Sequence, residues 1–481
     1  MKLFFIGWAD INQELVDLVE DLKKRGHEIV YWSRDNKLFE VDKKRFPGTI
    51  FHDYIDATTG KPAKGMEENE FSPPGEELLK QLYESESIIL TMMDKRYSYL
   101  SLAERKHFYY HLVGYWNGIL KKFRPDAIIF PDTPHTVYDF IIFSLAKLLL
   151  IKTITFNYTW IGDRALLINQ YTEGCVELRQ AMLTNNINYE ISDLPTDLRE
   201  YYLKQIGQII ENTTPSYVPD YINAFSGINK VFIKLKALWY WVKHPDFFSQ
   251  LFKSLAKFFK KNLKQEYLEF QEKNLDLNAN YVYVPLHYQP ECTTSPKGNI
   301  FVDQILMIEI LSAALPPGWS LYVKEHVTQW LPWGLNYTSA RHRGYYEHVA
   351  KIKNVKIVPL EISSCDLIKH SKATATVSGT AGWEAVLRSK PALVFGYPWY
   401  SDCHGVYSVK SVESCQNIFE KIVNNVIKVE PQKVLNFLFL LDKISTHMYL
   451  YQMDQKISKL TPGENKKNIL EVLIKEIESN N

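Results

Sequence analysis

The chain has 481 residues, 46% hydrophobic and 23% charged, the balance of a water-soluble globular protein with room for two domains and an appendage. Its formal net charge of +1 offers no cationic excess for wholesale nucleic-acid binding. Five scattered cysteines (Cys175, Cys292, Cys365, Cys403 and Cys415), with no C-x-x-C pair, point to a reducing compartment and away from a zinc site.

Lys2 to Trp8 is an apolar first strand, Ile11 to Lys24 has helical periodicity ending at Gly26, and His27 to Trp32 is a second strand. A strand–helix–strand opening of this kind begins many doubly wound domains, and the absence of G-x-G-x-x-G gives no reason to expect NAD. From Phe46 to Gly75 the pattern is irregular. Helices are expected over Glu76–Met93, Leu102–Phe123 and Val137–Leu150, with strands at Asp126–Phe130 and Lys152–Phe156. The start of the chain does not read as a signal peptide, because Leu3 to Ala9 is short and runs into Asp10. The longest apolar run, Val137 to Ile151, carries Asp139 and Lys147 and is a poor bilayer span. The expected location is therefore cytoplasmic.

Residues 165 to 275 read as helical and polar. Within them, Phe248, Leu251, Phe252, Leu255, Phe258, Phe259 and Leu263 share one face of a helical wheel, opposite Lys253, Lys257, Lys260, Lys261 and Lys264. Such a helix over 248–264 either rests in an anionic membrane surface, making the protein peripheral on the inner face, or packs on the protein with its lysines in water.

The α/β pattern returns with strands at Tyr281–Pro285, Trp319–Lys324, Val355–Val358, Ala373–Val377 and Ala392–Phe395. Helices alternate with them at Gln304–Leu315, Tyr345–Lys351, Asp366–His370 and Trp383–Arg388, and the chain after Asn417 is mostly helical. The simplest architecture is two doubly wound Rossmann-like domains facing across a cleft, with a helical insertion and a helical C-terminal tail. The expected divisions are 1–165, 166–274, 275–425 and 426–481.

Strand, turn, helix and strand meet around Ser378, Gly379 and Thr380. Small residues there allow an anion to approach the unpaired N–H groups and positive dipole end of the following helix. The same residues also suit a plain helix cap. Three further loops fall at carboxyl ends of strands, where open parallel sheets bind ligands. They carry His287, Gln289, Pro290 and Glu291; Lys324, Glu325 and His326; and Gly396, Pro398, Trp399 and Tyr400. Together Lys324, His326, Ser378 and Thr380 supply donors for a phosphate, and Glu384 an acceptor for a ribose.

In these same residues, and in the run Lys390, Pro391 and Phe395, the stretch from Tyr281 to about Val406 resembles the capsule polysaccharide biosynthesis family, which includes the β-Kdo transferases. Phe130 to His135, with Asp163 and Arg164, is similar to the acceptor-side segment of that family. The resemblance implies a GT-B glycosyltransferase, independent of metal and of any cofactor, that often uses a CMP-activated acidic sugar and a glycolipid or saccharide acceptor. It implies donor binding by Gln289, Lys324, His326, Ser378, Gly379, Thr380 and Glu384. The chain departs from the family where a His-Pro pair usually contacts the donor phosphate, since Val327 follows His326.

Deprotonating the acceptor requires a carboxylate or imidazole on the opposite wall. Asp132 and His135, in a proline-braced loop after the Asp126–Phe130 strand, are the expected catalytic pair, while Asp10 reads as a helix cap. A sugar-nucleotide epimerase of the same fold and a non-catalytic capsule-assembly protein remain alternative readings.

Overall fold

The computed structural model describes residues 1–8, 13–34, 44–67, 70–207, 261–330, 337–456 and 458–478. Its first sheet has the order β13-β6-β5-β4-β1-β2-β3 among the described residues. β1 (Lys2–Ile6), β2 (Glu28–Arg34), β3 (Ile50–Asp53), β4 (Ala127–Phe130) and β5 (Lys152–Tyr158) are parallel. β6 (Arg164–Ile168) turns back antiparallel beside β5, and β13 (Thr446–His447) pairs antiparallel with β6. Leu3, Phe4, Phe5 and Ile6 are all buried, as a central strand covered on both faces requires. The second sheet is wholly parallel, in the order β12-β11-β10-β7-β8-β9. Its strands are β7 (Tyr281–Pro285), β8 (Ser320–Lys324), β9 (Val355–Ile357), β10 (Ala373–Thr376), β11 (Ala392–Val394) and β12 (Val406–Ser408). Two doubly wound α/β sheets of this kind make the fold GT-B-like, as the sequence pattern predicts.

Several elements differ from the sequence expectation for identifiable reasons. β3 and the helix Tyr54–Thr59 lie inside the stretch that reads as irregular. Four residues are too few for a period to show, and β3 exists through its pairing with β2, while Asp53 caps the helix by accepting from the N–H groups of Ile55 and Asp56. The single helix expected over 76–93 is broken at Leu82, whose φ of −100° and ψ of 7° separate helices Glu76–Gln81 and Tyr83–Met92. β6 crosses residue 165, since its unbroken apolar run gives no alternation by which to recognise a strand. β12 and β13 are short edge strands that only sheet pairing creates.

The amphipathic 248–264 segment lies, up to residue 260, outside the described residues. Asn262 is extended (φ −96°, ψ 170°) and its side chain accepts from the Gln265 N–H, so a separate helix, Leu263–Phe270, begins there. Leu263 is fully buried in that helix, which removes it and Lys264 from the expected continuous lipid-facing wheel. Asp10 also lies outside the described residues. Among them, no helix is long and apolar enough to cross a membrane.

Strand order locates the ligand ends. In the first sheet the chain proceeds from β1 to β2 and β3 on one side, then places β4 on the other, so the crevice opens at the carboxyl ends of β1 and β4. In the second sheet the same reversal falls between β7 and β10.

The C-terminal chain ties the two units together. Helix Pro431–Ile444 packs Phe437 against Trp383 and Trp399 of the second unit, with ring centroids 5.8 and 6.3 Å apart. Helix Pro462–Glu478 then buries Ile469, Leu473 and Ile477 in the core that holds Leu15, Leu18 and Leu22 of helix Gln13–Lys24. Between them sits an ionic cluster. Arg164 Nε and Nη2 donate to Asp442 Oδ1 at 2.9 and 2.6 Å, and Nη1 donates to Asp197 at 2.7 Å. His447 Nδ1 meets Asp163 at 2.8 Å, and Ser458 donates to the other oxygen of Asp163 at 3.0 Å.

Hydrogen bonds to Asp163 and then Asp442 raise the pKa of His447 to about 9, against burial and the charge of Arg164. Because the folded pKa lies above the ordinary 6.5, the protonated imidazole contributes stability that is complete below about pH 6.5 and lost as pH rises through about 9. Thermal unfolding of the wild type and His447→Gln should therefore differ most at the acid end of this range and converge above it. A constant difference across the range would remove the ionic role of His447.

Candidate functional site

The two crevices face one another, and the loop from Leu286 to Gly298 crosses between them. Ser295 Oγ donates to the Ile88 carbonyl at 3.3 Å, and Lys297 Nζ donates to Asn157 Oδ1 at 2.8 Å. Lys95 and Glu291 approach within 3.7 Å, and Cys292 Sγ lies 4.0 Å from the Thr133 carbonyl. The wall formed by the second unit thus reaches the carboxyl ends of β4 and β5.

On that wall, β10 ends in the turn carrying Ser378, Gly379 and Thr380. Gly379 is the N-cap of helix Thr380–Leu387 (φ −79°, ψ 159°) and has no side-chain cap. The simple capping role for Ser378 is thereby ruled out: its Oγ donates to the Thr293 carbonyl at 2.6 Å, fastening the turn to the crossing loop. The first N–H groups of the helix lack intrahelical acceptors and point out of its end. Close packing behind them explains the small residues. A Cβ on Gly379 would come within 2.7 Å of His287 Cε1, and one on Gly382 would collide with the Tyr400 hydroxyl. That hydroxyl donates to the Gly379 carbonyl, and His287 Nε2 pairs with Thr376 Oγ1 at 2.9 Å. Burial, aided by His326 and Arg341, lowers the His287 pKa to about 3, so this ring is neutral.

Thr380 is exposed at the turn and hydrogen-bonds Glu384 one helical turn on. Burial raises the Glu384 pKa to about 7, against the favourable effects of Arg388 and Thr380, which leaves a carboxyl able to hold or release a proton near neutrality. His326 follows β8. Its Nδ1 lies 2.6 Å from Thr328 Oγ1 and accepts from the Thr328 N–H at 3.3 Å, an arrangement that assigns the proton to Nε2. Burial lowers its pKa, with Glu325 opposing and Arg341 assisting, so in this state His326 is a neutral donor.

Two of the expected donor contacts are turned inward. Gln289 accepts from Arg341 Nη1 at 2.5 Å and Gln304 Nε2 at 2.7 Å, and donates to the Val302 carbonyl at 2.7 Å. Every polar atom of its amide is occupied, so Gln289 braces the loop rather than presenting itself to a ligand. Lys324 is buried and donates to the Ile362 carbonyl; burial lowers its pKa, with Glu361 opposing. Sequence reasoning missed the group that organises Gln289: Arg341, fully buried, also donates to Glu325 Oε2 at 2.7 Å and to the His287 carbonyl at 3.0 Å. Tyr346 donates to the same Glu325 oxygen at 2.6 Å. The only sequence signal was a charged residue, Glu325, following an apolar strand.

The opposite wall carries Asp132 and His135 after β4, at its switch point. Asp132 Oδ1 accepts from the Thr133 N–H at 2.6 Å, and His135 Nδ1 donates to the Thr133 carbonyl at 2.8 Å. Burial disfavours charge on His135, but Cys292, Asp132 and Asp139 raise its pKa to about 10, which makes the ring a cation. The structure therefore gathers Asp132 and His135 on one side and His326, Gly379, Thr380 and Glu384 on the other. A separate surface groove bounded by Glu309, Pro316, Gly318 and Asn354 opens at the amino-terminal ends of β8 and β9, away from these loops.

Two facing α/β units with an anion-ready helix end on one wall and a carboxylate–imidazole pair on the other define the GT-B-like class. Within it, residues 301–427 match the family of capsule polysaccharide biosynthesis proteins, so the resemblance read from the sequence is borne out over that segment. No curated protein matches the chain. Similar solved structures include UDP-GlcNAc 2-epimerase from Methanocaldococcus jannaschii, at 12% identity over 98% of this chain and 99% of that one, with a TM-score of 0.24. KpsC, beta Kdo 2,4 transferase, of Thermosulfurimonas dismutans is 13% identical over 73% of this chain and 87% of its own, with a TM-score of 0.33. A glycosyltransferase from Rickettsia africae is 12% identical over 100% and 99%, with a TM-score of 0.27.

The Glu325–Arg341 pair gives a stability prediction. Arg341→Met leaves the Glu325 carboxylate buried without its cation and should cost about 3–5 kcal/mol in urea unfolding, while Arg341→Met with Glu325→Gln should recover much of that loss. Equal losses in the single and double variants would contradict this account.

Proposed function

We propose that the protein is a glycosyltransferase of capsule or surface polysaccharide biosynthesis, moving a sugar from a nucleotide donor to a glycolipid or saccharide acceptor. The observation that carries the proposal is the placement of the family-matched segment. Residues 301–427 contain His326 and the Ser378–Glu384 turn, and Ser378 fastens that turn to Thr293, next to Cys292, which lies 4.0 Å from the Thr133 carbonyl between Asp132 and His135. A CMP-linked acidic sugar such as Kdo is the favoured donor, and the cytoplasmic face of a membrane the favoured location.

In this reading the donor phosphate lies at the start of helix Thr380–Leu387. Backbone N–H groups, the Thr380 hydroxyl and His326 Nε2 donate to its oxygens, and Glu384 accepts from the ribose. Ser378, Gln289 and Lys324 shape the site from behind. As the bond from the sugar's anomeric carbon to the phosphate oxygen breaks, the electron pair leaves with the phosphate, where these donors stabilise the growing charge without a metal. The acceptor oxygen forms the new bond to that carbon, and its proton passes to Asp132. Asp132 is in turn one of the groups that keep the neighbouring His135 cationic.

His326→Ala should lower the transfer rate by roughly two orders of magnitude, as loss of an oxyanion donor does, with little change in thermal stability. Because the ring acts as a neutral donor, His326→Gln should retain more activity than His326→Ala. Early melting with unchanged turnover in His326→Ala would make the histidine structural. The reading itself is tested by incubating purified protein with CMP- and UDP-sugars, with and without glycolipid acceptor. Acceptor-dependent release of nucleotide supports a transferase. An epimerised or free sugar from donor alone identifies an epimerase, and no nucleotide binding at all identifies a non-catalytic assembly protein.

A further inference from the structure

Beside Asp132, the wall of the first unit carries a group of side chains that no step above uses. β5 ends at Tyr158, and the turn to β6 projects Trp160, whose ring lies 6.0 Å from that of Tyr158 and is 63% exposed. Trp160 has φ of +60°, a backbone region that L residues seldom occupy, so the turn holds a large apolar ring in water by a strained route. From the C-terminal chain, Tyr451 packs 6.1 Å from Tyr158, and helix Gln452–Gln455 brings Asp454 close to Asp132.

One polar atom here is built in without a partner among the described residues: an oxygen of Asp454 is buried and makes no hydrogen bond. Tyr158 is only 7% exposed, and its hydroxyl lies beside the Leu450 backbone. Burial first, then the charges of Tyr451, Asp454 and Asp132, raise the Tyr158 pKa well above the ordinary phenol value. Burial and the Asp132 charge raise that of Asp454 to about 6. Unsatisfied buried groups are rare in native proteins and mark places where an absent partner belongs.

We propose that Asp132, Tyr158, Trp160, Tyr451 and Asp454 form a subsite for a neutral sugar residue of the acceptor, stacked on Trp160 and hydrogen-bonded by its hydroxyls to the two carboxyls and the Tyr158 hydroxyl. The proposal rests on the glycosyltransferase reading and names the kind of acceptor that it requires. Two close carboxyls repel phosphate and carboxylate, which keeps the donor's phosphate and an acidic acceptor residue out of this subsite. Sugar hydroxyls both donate and accept, matching a pair of carboxyls that between them do the same, and the apolar face of a pyranose matches an exposed indole. Lys297 of the crossing loop donates to Asn157, the residue before Tyr158, so the crossing loop reaches the same end of β5 as the subsite.

The test uses full-length protein labelled with 5-fluorotryptophan, the Trp160 resonance being assigned by its loss in Trp160→Phe. Octyl glucoside, octyl galactoside and octyl N-acetylglucosaminide, each kept below its micelle concentration, are titrated separately, with CMP and UDP as donor-side probes. The proposal expects at least one neutral glycoside to shift the Trp160 resonance saturably. Trp160→Ala should weaken that glycoside about tenfold, by loss of stacking, and leave nucleotide affinity unchanged. Asp454→Asn, a nearly isosteric change, should weaken it comparably without lowering the melting temperature. A Trp160 signal moved by CMP or UDP alone, or by none of the glycosides, overturns the subsite. If the wild type binds neither nucleotide, the glycosyltransferase reading falls, whatever happens at Trp160.

Discussion

The buried guanidinium of Arg164 is the point on which the two-unit arrangement depends. It is almost wholly removed from water and reaches two carboxylates from distant parts of the chain, Asp197 after the first sheet and Asp442 in the C-terminal segment. A buried cation with one partner missing is costly, so the C-terminal helices are held to the first unit although they follow the second in sequence. That return path also carries Phe437 into contact with Trp383 and Trp399, and Ile469, Leu473 and Ile477 onto helix Gln13–Lys24. The facing of the two crevices is a consequence of this closure.

The walls so placed differ in electrostatic character. The second unit presents the start of a helix, a neutral histidine donor and an exposed threonine hydroxyl, all suited to negative charge. The first presents Asp132 and Asp139 around cationic His135, with Asp454 beside Asp132. An anion is drawn to one wall and repelled from most of the other, so in the proposed transferase a donor and an acceptor of different charge would sort themselves across the cleft. The crossing loop is common to both: Ser378 holds it at Thr293, while Lys297 and Ser295 hold its other flank to the first unit.

The small residues around Gly379 have two causes. In the proposed donor site an approaching phosphate needs bare backbone, and His287 and Tyr400 already occupy the space behind it. Sequence alone suggests the first cause. The second becomes visible only when β7 and β10 lie side by side, which brings His287 to Thr376 across a separation of 89 residues.

Apolar strands alternating with amphipathic helices were sufficient to determine the α/β class, the two units and the loops at strand ends, because these follow from local periodicity. The positions of Asp132, His135, His326, Thr380 and Glu384 in the fold were legible for the same reason: each lies in a loop after a strand or in the first turns of the helix that follows one. Only the tertiary structure decided which neighbours would occupy each side chain. Gln289 sits in a loop of the right kind and Lys324 at the end of β8, but burial beside Arg341 and Ile362, respectively, spends their hydrogen bonds inside the protein. Tyr158, Tyr451 and Asp454 carry no local signal, since their meeting depends on a C-terminal chain that returns to the first sheet. Periodicity is a property of neighbours in sequence, whereas the desolvation that sets charge and hydrogen bonding is a property of neighbours in space.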